Sequence, residues 1–165
     1  MLAQKLKLKH YYMGGIRRKL AKEKGMTIDD FNKLGEKDPA TDKVVDDFLI
    51  KLGKTEDDFI AEGRTAAHFI PNSLKIFMDV NLRIGAERIL HQLKSQIHER
   101  NEVAAQTLDE EITKLKERMH SDRIRYKKYY AIDIFDKRMY DLWIDTSTMT
   151  PEQAVSKILE KIRKL

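Results

Sequence analysis

Cysteine is absent from the 165 residues, which excludes a disulfide scaffold, a thiolate nucleophile and any cysteine-ligated zinc or iron–sulfur centre. Three prolines and seven glycines are too few for a collagen-like or low-complexity chain. No apolar run approaches the roughly 18 residues that a membrane-spanning helix needs. Residues 1–9 alternate lysine with leucine, unlike the unbroken apolar stretch of a secretory signal, so a cytoplasmic protein is the expectation. Aromatic residues make up 8%, and no stacking signature of an RNA-recognition sheet occurs.

Charge is plentiful. Charged residues reach 36%, and 32 Lys and Arg against 27 Asp and Glu leave a formal net charge of +5. That balance favours an anionic partner without separating nucleic acid from nucleotide. The length suits one domain, with room for a mobile insert but not for a second full domain.

Short apolar runs mark the strands. Residues 59–61, 74–80 and 141–145 are bounded by polar residues, and 10–13 form a weaker run. Runs of this kind read as buried strands of a parallel sheet, and the helical stretches between them predict an α/β layered fold. Thr27, with Asp29 and Asp30 behind it, caps a helix over 28–34. Pro39 opens another, with Val44, Val45, Phe48, Leu49 and Leu52 on one stripe and Gly53 as its stop. Thr107 with Glu110, and Thr150 with Gln153, fit the capping box; Pro151 adds the favoured first helical position. From 84 to 130 the sequence is helical and highly charged, with a break near 98–101, so part of it is solvated or closes over something.

One motif is a decoy. Gly53, Lys54 and Thr55 match the end of the phosphate-cradling loop G-x-x-x-x-G-K-[ST], but Phe48 stands where its first glycine belongs. That loop follows a strand and precedes a helix, the reverse of the order here. The five histidines, at 10, 68, 91, 98 and 120, are scattered and lack zinc-ligand spacing.

The arginines carry more. Arg64 follows a strand and Gly63, at the carboxyl end of a parallel strand, where α/β sheets bind ligands. Arg18 lies in the first turn after Gly14 and Gly15, a second strand-to-helix junction. Arg118 and Arg125 are seven residues apart on one helix, so both can face one cleft. Guanidinium forks hold phosphate bidentately and keep their charge. The competing reading is a solvated basic face paired with Asp and Glu.

The segment from Met13-Gly14-Gly15-Ile16-Arg17-Arg18 to Gly25-Met26 resembles the junction and helix after the second strand of archaeal-type cytidylate kinases. The match continues in order through Thr27, Phe31-Asn32, Glu36, Pro39 and Asp42. Glu62-Gly63-Arg64, Ala86-Glu87-Arg88, Ser121 with Arg125, Asp133, Tyr140 and Asp145-Thr146-Ser147 complete it. It spans nearly the whole sequence.

The resemblance implies a three-layer P-loop kinase fold over 1–165, with a parallel sheet, a monophosphate-binding helical insert at about 15–53 and a helical lid at about 90–117. It implies transfer of the γ-phosphate of ATP, with magnesium, to CMP or dCMP. By position, Arg18, Gly14, Gly63 and Arg64 would bind CMP, while Arg118, Arg125 and Arg88 would serve the transferred phosphate.

The sequence departs from that pattern at its start. Residues 2–6 resemble the tail of the helix that follows the phosphate loop, so the first strand and that loop are absent, and with them the lysine and hydroxyl that hold Mg-ATP. Gly15 stands where an acidic residue is usual and Gly85 where a lid arginine is common. The expectation is an N-terminally truncated kinase, inactive as it stands, whose sheet lacks its central strand and can associate through the exposed edge. A complete chain would be a monomer. The alternatives are a basic nucleotide- or RNA-binding protein without catalysis, and a regulatory subunit that pairs with an intact kinase.

Overall fold

A computed structural model describes residues 1–100 and 105–164, with the side chains of 94–100 left aside. Four helices precede the second strand: α1 (Leu2–Leu6), then strand β1 (Lys9–Tyr12), then α2 (Met13–Glu23), α3 (Ile28–Gly35) and α4 (Ala40–Thr55). Strand β2 (Phe59–Glu62), α5 (Ala66–Phe69) and strand β3 (Ile76–Asp79) follow. Two long helices, α6 (Leu82–Arg100) and α7 (Leu108–Tyr130), lead through a 3₁₀ turn at Lys137–Met139 to β4 (Leu142–Asp145) and α8 (Pro151–Ile162).

The strands form two separate parallel pairs. β1 lies beside β2, with Lys9 opposite Phe59 and Tyr12 opposite Glu62. β3 lies beside β4, with Ile76 opposite Leu142 and Asp79 opposite Asp145. No ladder joins β2 to β3 among the described residues, so each presents an unpaired inner edge. All four expected strands therefore exist, in a sheet divided into halves.

A two-stranded ribbon is marginal unless helices cover it, and helices cover both. Met13, Val45, Leu49, Ala66 and Ile70 form a buried cluster under the first pair, with Tyr11, Phe48 and Phe59 against it. Ala21, Ile28 and Phe31 form a second cluster where α2 meets α3. In the second pair, Phe77 stacks on Trp143 at 3.9 Å between ring centroids, and the indole N–H donates to Asp79 Oδ2 at 3.0 Å.

Helix ends follow the chemistry of their caps. The Thr27 hydroxyl accepts from the Asp30 backbone N–H, and complete capping boxes open α7 at Thr107 and α8 at Thr150. Gly25, at φ +67° beyond α2, takes the left-handed conformation that glycine adopts without strain.

Two sequence expectations are revised. Helix α4 continues to Thr55, so Gly53 lies within its last turn and does not stop it; the decoy motif is helical. Val44 is 51% exposed, because Val45, Leu49 and Leu52 face the core, with Phe48 packed beside it, and Val44 lies off that face. The expected lid at about 90–117 lies partly outside the described residues. On either side of that gap, α6 and α7 pack together, and α7 begins at Leu108, so its first turns fall within the expected lid.

Candidate functional site

A cavity of about 1190 Å³ separates the two strand pairs. Its walls include all of β2 and β3, Leu2 and Leu6 of α1, and Val155 and Ile158 of α8. At the carboxyl ends of β1 and β2 the lining changes from apolar to charged.

Helix α2 starts directly at the end of β1, and Gly63 follows β2, so two chain reversals meet there. Both glycines are needed for the close approach. A Cβ on Gly63 would meet Met13 Cγ at 2.6 Å and Cβ at 2.9 Å; one on Gly14 would meet the Tyr12 ring at 2.8 Å. Of the seven residues singled out by sequence, Gly14, Arg18, Gly63, Arg64, Arg118 and Arg125 all line this one cavity. Arg88 does not. Its guanidinium donates to the carbonyls of Thr146 at 2.9 Å and Ser147 at 3.2 Å, fastening the turn after β4.

Arg125 is the centre of a buried ion network. At 1% exposure it sits on the inner face of α7 with Ser121, Asp122 and Tyr126, positions one helical turn apart. Its Nη1 donates to both oxygens of Asp42, at 2.7 and 2.8 Å, and its Nη2 donates to Asp122 Oδ1 at 2.5 Å. Asp122 Oδ2 pairs with Arg64. On the other side, Asp42 Oδ1 accepts from Arg17 Nη1 at 2.6 Å. The result is an alternating row, Arg17–Asp42–Arg125–Asp122–Arg64, drawn from α2, α4, α7 and the turn after β2.

The rest of the ring is tied in less tightly. Arg118 Nη2 pairs with Asp29 Oδ1 at 3.1 Å. Arg18 donates to the Tyr12 hydroxyl at 2.7 Å. Asp46 accepts from Thr65 Oγ1 at 3.0 Å and from the Tyr130 hydroxyl.

Burial governs the titration of these groups. Desolvation lowers the Arg17 guanidinium, and the neighbouring Arg125 cation adds to the effect. Desolvation likewise lowers Arg64 to about 10, helped by Arg118, Arg125 and Arg17. Because 43% of the Arg64 side chain meets solvent through the cavity, screening limits that shift, and the group is charged at neutral pH. Burial raises Asp46 against the hydrogen bonds from Tyr130 and Thr65, and raises Tyr130 and Tyr126 also.

Sequence reasoning did not single out Arg17, Asp122 or Asp46 as site residues, and Asp42 entered only as part of the matching series. Local signals existed. Asp42 and Asp46 are one turn apart on α4, and Asp122 precedes Arg125 by three residues on α7.

Several guanidinium groups held in fixed orientation are chemically able to recognise an anion. Nothing in it forms a nucleophile with a base. No group of three or more His, Asp or Glu able to hold a metal ion occurs among the described residues. The described residues also do not form a cradle for the phosphates of ATP: among them no Gly-rich loop ending in Gly-Lys-Ser/Thr follows a strand, and Gly53, Lys54 and Thr55 are helical. No described helix is long and apolar enough to cross a membrane.

Comparison with known proteins gives the family. The family profile described as Cytidylate kinase matches residues 3–164. A cytidylate kinase of Pyrococcus furiosus is 38% identical over 152 residues, covering 92% of this chain and 73% of its own length. One from Methanosarcina acetivorans is 37% identical over 145 residues, 86% and 75% of the two chains. One from Pyrococcus abyssi is 36% identical over 169 residues, 98% and 87%. With a family profile spanning nearly every residue, the chain belongs to the cytidylate kinase family.

Proposed function

We propose that this chain is the acceptor side of a cytidylate kinase: it binds CMP or dCMP, and as these 165 residues alone it does not turn over ATP. The family implies phosphoryl transfer from Mg-ATP to give CDP or dCDP, and ATP and CMP are accordingly its small-molecule substrates. Arg18, Arg64, Arg118 and Arg125 grip the monophosphate. Gly14 and Gly63 keep the two junctions free of side chains, so that the nucleotide lies close to backbone. Arg88 serves from outside the cavity, by holding the turn at Thr146 and Ser147.

The observation that carries this reading is the convergence of four arginines, from α2, the turn after β2, and α7, on one cavity. A phosphoryl acceptor needs positioning and charge neutralisation more than a strong base, and the cluster supplies both. Helices on either side of the expected lid would exclude water from the bound nucleotide. Missing turnover follows from the missing phosphate cradle. The free edges of β2 and β3 support self-association of the chain as given.

The test is calorimetric titration of the chain with CMP, dCMP and cytidine, followed by incubation with ATP, Mg²⁺ and CMP. Binding of both nucleotides, much weaker binding of cytidine, and no CDP are expected. Equal binding of CMP and cytidine would refute the phosphate grip, and brisk CDP formation would refute the account of the missing loop.

A further inference from the structure

Arg17 and Arg18 are neighbours on α2, about 100° apart around the helix, and so face different surroundings. Arg18 turns toward Tyr12. Arg17 turns inward, with only 12% of its side chain exposed. Its Nε donates to Asn32 Oδ1 at 2.9 Å, and its Nη1 to the Thr41 carbonyl at 3.0 Å as well as to Asp42. Its plane lies 4.9 Å over the Phe31 ring.

Two features exceed what a structural ion pair needs. First, Asp42 Oδ1 is shared, accepting from Arg17 Nη1 and Arg125 Nη1 alike. The position of the Asp42 carboxylate, and so of the Arg125 fork, depends on Arg17. Second, Arg17 Nη2 is buried and has no hydrogen-bond partner among the described residues, and the same holds for Arg125 Nε. A buried donor left unpaired is costly. Both side chains line the cavity, so two unused donors lie buried in its wall, on guanidinium groups clamped by one carboxylate.

We propose that Arg17 is a further residue of the monophosphate site: through Asp42 it positions Arg125, and its own Nη2 donates to the oxyanion of the bound nucleotide. The proposal rests on the function argued above and extends it to a residue that pairing alone would class as structural.

Three proteins test it: the wild-type chain, Arg17→Met, which keeps the bulk but no charge, and Arg17→Lys, which keeps the charge but not the fork. CMP and cytidine affinities are measured by calorimetry, and the Arg125 Nε–Hε resonance by NMR in the ligand-free proteins. In Arg17→Met, CMP affinity falls 10-fold or more while cytidine affinity changes less than 2-fold, Arg17→Lys recovers part of the loss, and the Arg125 resonance shifts or broadens. Equal losses for CMP and cytidine would mark a merely structural role and overturn the proposal, as would unchanged CMP binding. If the wild-type chain binds no CMP, the proposed function falls on that result, and the resonance still decides the positioning claim: an unmoved Arg125 signal overturns it.

Discussion

Replacing Asp42 with asparagine is the sharpest test of the buried network. The carboxylate is 4% exposed and accepts three hydrogen bonds from two guanidinium groups. Asparagine keeps the shape but removes the charge, leaving the Arg17 and Arg125 cations adjacent with little solvent between them. Arg125 keeps Asp122, whereas Arg17 keeps only neutral acceptors, Asn32 and the Thr41 carbonyl. Breaking a buried ion pair from one side costs about 3–5 kcal/mol. Against a total stability of about 5–15 kcal/mol for a domain, that is a large fraction. For a chain of this size the melting temperature falls by about 2–4 °C per kcal/mol, so Asp42→Asn lowers it by about 6–20 °C. Urea unfolding of Asp42→Asn, Arg125→Met and the double variant gives the energies directly. The double variant loses about 2 kcal/mol less than the two single losses combined, because the second change removes a charge the first had stranded. If Asp42→Asn costs under about 1 kcal/mol, the value of an exposed pair, the network does not hold the site together and the argument for it fails.

Gly63→Ala forces a Cβ against Met13 Cβ and Cγ, atoms too near the backbone to swing away, and costs about 1–3 kcal/mol in urea unfolding; an unchanged midpoint would mean that α2 can shift without loss. Asp136 titrates at about 2, held low first by the side-chain hydrogen bonds from Arg138. A lowered carboxyl contributes stability above the ordinary carboxylate range and loses it as pH falls through about 2. Carboxyl carbon NMR sees that midpoint rise toward the usual carboxylate range in Arg138→Met, which keeps only the backbone N–H donor, and an unmoved midpoint would remove the Arg138 side chain as its cause. The unpaired edges of β2 and β3 make the apparent mass of the chain rise with concentration in size-exclusion light scattering, and a monomer at every concentration would show that the edges are shielded.

The elements were legible because their signals are local. Four short apolar runs became four strands, and the caps at Thr27, Thr107 and Thr150 sit where their side chains predict. Val44 fell outside the core because a stripe of apolar residues does not say where burial ends. Gly53 stayed helical because one glycine near a helix end does not stop it when the flanking residues pack. The site was legible by half. Strand-to-helix junctions exposed Arg18 and Arg64, and heptad spacing exposed Arg118 and Arg125. Asp42 stayed hidden as their counter-ion because its pairings are long-range: Arg125 meets it across 83 positions and Arg17 across 25. Nothing in a local pattern distinguishes Arg17, which turns inward, from Arg18 beside it.

The abundance of aspartate in the proposed anion site has a physical reason. Bare guanidinium groups inside a cavity would repel one another, and desolvation already lowers Arg17 and Arg64. Asp42 and Asp122 hold them charged and fix the direction of each fork before a ligand arrives, which spares the ligand that ordering cost. The alternating row begins and ends in a cation, so its three arginines outnumber its two carboxylates by one charge. A phosphate entering the cavity therefore meets an excess that the row carries at Arg17 and Arg64, its two ends. It does not need to break Arg125 away from Asp42 or Asp122, the two most buried pairs. The affinity for a monophosphate thus depends on the small local imbalance within a nearly neutral cluster, and the chain's overall charge of +5 is a poor guide to it. Substitutions that alter surface lysines leave monophosphate affinity nearly unchanged at physiological salt, where exposed charges are screened within about 8 Å, whereas a single change within the row moves it strongly.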